Sequence, residues 1–167
     1  KVFKGIAQRG KCSMGWFFGF KLHLICNEKG ELLNFMITPG DIDDRKPLEY
    51  KAFIDFIYGK LFGDKGYISK NLFQRLFVDG IQLITKLKSN MKGALMSVSD
   101  RLLLRKRAII ETVNDELKNI AQVEHSRHRC FDNFIVNLLG AIAAYCLFPK
   151  KPCINVQRTI DTQLALF

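Results

Sequence analysis

Apolar and polar positions change rhythm several times along the chain, and each rhythm predicts an element. "WFFGFKLHLICN" (Trp16–Asn27) is apolar, aromatic and β-branched, "EKG" (Glu28–Gly30) reads as a turn, and "ELLNFMITPG" (Glu31–Gly40) is a second apolar run. Two such runs around a short glycine-containing turn predict a hairpin. "DIDDRKP" is a polar loop. "PLEYKAFIDFIYG" opens at Pro47, whose missing N–H suits a first helical turn, and stops at Gly59, so it predicts a helix. "KLFGDKGY" is a short buried strand ending at Asp64 before a Gly66 turn. "SKNLFQRLFVDG" runs from a capping Ser69 to Gly80 as a second helix.

"IQLITKLK" predicts another strand, and a basic loop from Lys88 to Asp100 follows it. "RAIIETVNDELKN" (Arg107–Asn119) predicts a helix, and "FIVNLLGAIAAYCLF" (Phe134–Phe148) a buried one. The tail from Pro149 to Phe167 has two prolines and weak periodicity, and is expected to be loosely attached. A hairpin followed by alternating helices and strands predicts a mixed sheet covered by helices, an α/β domain spanning residues 1–148. No internal repeat or low-complexity tract interrupts it.

The Arg107–Asn119 helix carries an unusual stripe. Arg107, Glu111, Asn114 and Lys118 fall within a sector of roughly 60° at 3.6 residues per turn. Ile110, Val113, Leu117 and Ile120 form a core-facing stripe beside it, and Thr112, Asp115, Glu116 and Asn119 a solvated flank. Glu111 therefore borders the buried face, where a carboxylate is held firmly yet reaches a cleft. The plain alternative is an exposed helix with an Arg107–Glu111 ion pair worth a few tenths of a kcal/mol.

Charge narrows the partners. Lys and Arg number 26 against 16 Asp and Glu in 167 residues, a formal charge of +10. Such an excess points to an anionic partner, nucleic acid first. With 48% apolar residues and 14 Phe, the composition is that of a folded domain. The five cysteines are scattered without a CxxC pair, which argues against a disulfide framework and suits a reducing cytosol. No apolar run reaches the ~18 residues of a membrane span, and no signal peptide opens the chain. The first residue is Lys1, in "KVFKGIAQRGK", so the sequence is expected to lie inside a longer reading frame.

Asp64, at the C-terminal end of a strand, stands where open α/β sheets collect ligands. A strand-end Asp and a Glu on a half-buried helix form a donor set for Mg²⁺ or Mn²⁺, with Arg107 and Lys118 available to phosphate oxygens. Other candidates are weaker. His125, His128 and Cys130 lack zinc spacing and read as a basic segment contacting DNA phosphate. A second basic segment runs from Lys86 to Lys92. His23 reads as a structural histidine, Trp16 and its Phe neighbours could stack bases but read better as core packing, and Ser13 and the cysteines have no base partner.

"GWFFGFKLHL", "TPGDIDDRKPL", "GDKGY" and Arg107–Glu111–Lys118 together resemble bacterial insertion-sequence transposases of the DDE group, over nearly the whole chain to Lys150–Pro152. Leu104 replaces the Tyr usual three residues before the Arg. The resemblance implies a ribonuclease H-like mixed sheet flanked by helices, its first strand missing or incomplete. It also implies Asp64 and Glu111 as catalytic metal ligands for Mg²⁺ or Mn²⁺. Arg107, Lys118 and Asn114 become supporting or DNA-phosphate residues. The implied activity is strand cleavage and strand transfer on DNA at terminal inverted repeats and target DNA, by a cytoplasmic, nucleoid-associated homo-oligomer. In that group the first catalytic Asp precedes the hairpin, and Asp41, Asp43 and Asp44 follow it. The chain is therefore expected to lack one ligand and to be inactive alone. The alternatives are a DNA-binding remnant and a ribonuclease H-like nuclease without strand transfer.

Overall fold

The computed structural model describes residues 2–12, 15–86, 96–125, 127–154 and 164–166. Its longest strand, β2 (Gly15–Asn27), forms a hairpin with β3 (Leu32–Pro39), registered from Phe20↔Pro39 to Cys26↔Leu32. The turn is built by Asn27, whose side-chain oxygen accepts from the N–H groups of Lys29 and Glu31, and by Gly30 at φ +70°. A left-handed residue at that point is cheapest for glycine. The expected hairpin is present.

Before β2 lies a strand that the hydrophobic pattern does not show, β1 (Gln8–Cys12), antiparallel to it from Gln8↔Gly19 to Cys12↔Gly15. "QRGKC" is polar because four of its five residues are exposed, so no apolar alternation marks it. Its one buried position is Gly10, packed so closely on the backbone of Gly40 that a Cβ there would strike the Gly40 carbonyl.

Strands β4 (Gly59–Gly63) and β5 (Ile81–Thr85) pair in parallel. Between β2 and β4 runs β6 (Leu164–Leu166), antiparallel to β2 through Cys26↔Leu166 and parallel to β4 through Leu61↔Ala165. The strand order is β1-β2-β6-β4-β5, with β3 also on β2. A tail expected to hang loosely thus contributes a strand to the sheet interior. The start of the tail is also tied down: Ile154 donates its N–H to the Glu28 carbonyl at 2.8 Å, and the Pro152 carbonyl packs on Gly30. Three residues are too few for a period to register in sequence.

Alternating strand residues feed two cores. One face gathers Leu24, Cys26, Phe62 and Ile84 under α3 (Val98–Lys106), α4 (Ile109–Asn119) and α5 (Phe131–Cys146). The other gathers Ile25, Leu61, Ile81 and Leu83 under α1 (Lys51–Ile54) and α2 (Lys70–Val78). A mixed sheet between helical layers is the α/β arrangement expected.

Several elements depart from the sequence pattern. The helix expected over Pro47–Gly59 is a 3₁₀ turn, Lys46–Glu49, followed by the single-turn α1, with Tyr50 extended between them and Phe56 at φ +63°. Leu48, Phe53, Ile54 and Ile57 are all buried. In one continuous helix Leu48 would face roughly opposite the other three, so the break lets every apolar side chain reach the sheet. Helix α3 replaces part of the expected Lys88–Asp100 loop, started by Ser97, whose hydroxyl accepts from the Asp100 N–H at 3.1 Å. Residues 87–95 of that loop lie outside the described residues. Ile120 is 62% exposed because α4 has already ended, and Ile109 takes its expected place in the core. Helix α5 is amphipathic rather than enclosed, burying Leu138, Ala141, Ile142 and Tyr145 while Val136, Leu139 and Leu147 face outward. Among the described residues, no helix is long and apolar enough to cross a membrane.

Candidate active site

Burial of Leu61 and Phe62 on opposite faces anchors β4, and the chain leaves the sheet at its C-terminal end through Asp64. Across the cleft, the buried stripe Ile109, Ile110, Val113 and Leu117 fixes the rotation of α4. That rotation turns Glu111 outward and leaves Asn114 half-buried. The link between α3 and α4 is Arg107, in the turn that joins them. Its Nη2 lies 3.9 Å from Asp64 Oδ1 and 3.7 Å from Glu111 Oε1. Those separations exceed hydrogen-bond length, so the guanidinium acts on both carboxylates as a charge. Arg107 is largely buried (18% exposed), whereas Asp64 and Glu111 are open to the cleft (55% and 71%). The salt bridge Lys60–Asp100 at 2.7 Å ties β4 to α3 and helps hold the two sides in register.

Of the five residues singled out by sequence, four line one cleft of about 900 Å³: Asp64, Arg107, Glu111 and Asn114. Lys118 is elsewhere, its Nζ paired with Glu124 at 2.8 Å and absent from the lining. The flank expected to be solvated holds an exception as well. Glu116 is half-buried, and its Oε2 is shut from solvent with no hydrogen-bond partner among the described residues.

The loop of residues 41–45 forms a second wall. Arg45 grips Asp43 through Nε and Nη2 at 2.9 and 2.6 Å, and these hydrogen bonds hold the carboxyl well below the usual range. Asp44 pairs with Lys21 at 2.8 Å. Two of the three loop aspartates are therefore engaged by local cations, while Asp41 is exposed. Among the described residues no group of three or more His, Cys, Asp or Glu could hold a metal ion. Behind the loop, His23 is buried with Nε2 2.9 Å from the Thr38 hydroxyl. Burial lowers its pKa, Lys21 adds to the effect, and Asp44 opposes it. Tyr67 is kept protonated by burial and by the carboxylates of Asp44 and Asp64.

The third wall runs against the preferred sequence reading, which put Trp16 in the core and did not foresee β1. Trp16, expected in the core, is 65% exposed and lines the cleft with Arg9 and Lys11. The signal lay in "RGK", which becomes informative only once β1 is known to pair with β2. Arg127, His128 and Arg129 are exposed, as a phosphate-contacting segment requires. Lys86 is exposed too, and the rest of the Lys86–Lys92 segment lies outside the described residues, as does Ser13. Cys26 is buried, and burial pushes its thiol up to about 12, so it is no nucleophile.

The carboxylates and the arginine thus gather at the C-terminal end of a parallel strand, the end at which open α/β sheets commonly bind ligands. The family follows from comparison: the model of the transposase DDE domain matches residues 1–131, and the chain belongs to that family. The match takes in Asp64, Arg107, Glu111, Asn114 and Lys118. No curated protein and no solved structure matches significantly.

Proposed function

We propose that the chain is the catalytic domain of a DNA transposase, cleaving and joining phosphodiester strands at insertion-sequence ends with Mg²⁺ or Mn²⁺. The observation that carries the reading is the gathering of Asp64 and Glu111 around Arg107 in one cleft. Family membership and the +10 charge support it. The sheet order β3-β2-β6-β4-β5, antiparallel on one side and parallel on the other, supports a ribonuclease H-like fold. The reading implies a nucleoid-associated, cytoplasmic protein that acts as a homo-oligomer.

The donor set fits a hard divalent cation. Mg²⁺ is commonly held by one or two carboxylates together with substrate phosphates, and Asp64 and Glu111 are two open carboxylates on one cleft. When bound, the metal supplies Lewis acidity toward the phosphodiester and lowers the pKa of the attacking water or 3′-hydroxyl. Arg107 offsets part of the charge of the two carboxylates beforehand and lies on the cleft that an incoming phosphate would enter. Asn114, one turn on from Glu111, offers an amide to the same DNA strand. Lys118 would contact phosphate outside the cleft after exchanging Glu124 for DNA.

A second reading, a DNA-binding remnant without complete catalysis, is favoured by the engagement of Asp43 and Asp44 with Arg45 and Lys21. The protein should be incubated in Mg²⁺ with duplexes from the ends of its genomic element. Cut and joined products together are the expected result. Cutting without joining would make it a nuclease, and salt-sensitive binding with neither product would make it the remnant.

A further inference from the structure

Trp16 is a large apolar side chain that the core does not use. Directly opposite it on β1 is Lys11, and Arg9 lies on the diagonal, next to Phe18 in register. The Arg9 guanidinium carbon is 5.4 Å from the indole centroid and the Lys11 ammonium nitrogen 5.8 Å, both within cation–π range. All three side chains line the cleft that holds Asp64 and Glu111. The hairpin that carries them is seated by the close contact of Gly10 with Gly40, at the start of the acidic loop. An exposed indole with two cations beside it, on a seated hairpin, matches what single-stranded nucleic acid asks for: a flat surface for a base and charges for the flanking phosphates.

We infer that Trp16, flanked by Arg9 and Lys11, stacks on an unpaired base of a DNA end entering the cleft, so that the chain prefers a frayed or overhanging end to intact duplex. The faces of paired bases are covered by their neighbours, and an indole reaches one only where stacking is interrupted. Because every base has a π-face, the preference is for unpaired structure and carries little sequence selectivity. This inference rests on the DNA reading above.

The test uses a property of the sequence: Trp16 is the chain's one tryptophan, so indole emission reports this position alone. The chain is titrated at fixed low salt with a blunt duplex and with the same duplex bearing a short thymidine overhang. The overhang should quench the emission and bind several-fold more tightly, while the blunt duplex should leave emission nearly unchanged. Trp16→Ala should weaken overhang binding roughly tenfold and bring it level with blunt binding, and Trp16→Phe should keep part of the preference. Tight binding of both duplexes with equal affinity and unchanged emission would overturn the stacking role while leaving the DNA reading intact. Failure of both duplexes to bind would overturn both.

Discussion

Arg107 sits between two carboxylates that would otherwise repel one another across the cleft, and little water reaches it. Its position was legible in sequence because Arg107, Glu111 and Asn114 share a helical face and Asp64 ends a strand. Lys118 shares that face on paper, but α4 carries it past the cleft to Glu124. Periodicity gives an angle around a helix and says nothing of where the cleft stops. His23 illustrates the reverse case, a polar residue whose environment only the fold reveals. Its folded pKa is lowered by burial from the ordinary 6.5, so the unfolded chain binds the extra proton first. Stability is therefore whole above about pH 6.5 and is lost as pH falls below it. Denaturant melts at pH 7.5 and 5.5 should show a drop for the wild type that is smaller in His23→Gln. An equal drop in both would assign the acid sensitivity to other groups.

At the scale of elements, apolar runs were readable, the five-residue strands β4 and β5 included, and polar or three-residue ones were not. The β2–β3 hairpin, α2 and α4 follow from apolar spacing, a capping serine and stop glycines. Strand β1 is polar, β6 has three residues, and α3 is capped by a serine whose context in sequence reads as loop. The break at Tyr50 is decided by the sheet that Leu48 and Phe53 must both reach. Strand β1 matters because it brings Trp16, Arg9 and Lys11 to the cleft, and Gly10 is what seats it. Gly10→Ala would force a methyl into the Gly40 carbonyl and the Phe17 ring. The expected cost is about 1–3 kcal/mol, the usual range for overpacking a tight site, read from chemical denaturation. A stability change near zero would mean that the hairpin shifts freely, and the third wall of the cleft would lose its basis.

For the whole molecule, the two helical layers serve to hold one strand end against one helix face. The sheet fixes Asp64 and the core under α3 and α4 fixes Arg107 and Glu111. The most direct measurement compares Glu111→Gln with Asp115→Asn, following Mg²⁺-dependent strand cleavage alongside thermal stability. Both positions are exposed on α4 and one turn apart, but Asp115 bonds to Asn119 at 2.6 Å and does not line the cleft. Glu111→Gln should lower cleavage roughly a hundredfold or more, because metal and electrostatic stabilisation supplies several kcal/mol to the transition state. Its stability should fall by at most about 1 kcal/mol, the worth of an exposed ion pair. Asp115→Asn should cleave at close to the wild-type rate. Equal, small effects from the two substitutions would contradict the account, leaving the Arg107–Glu111 stripe as a salt-bridged surface.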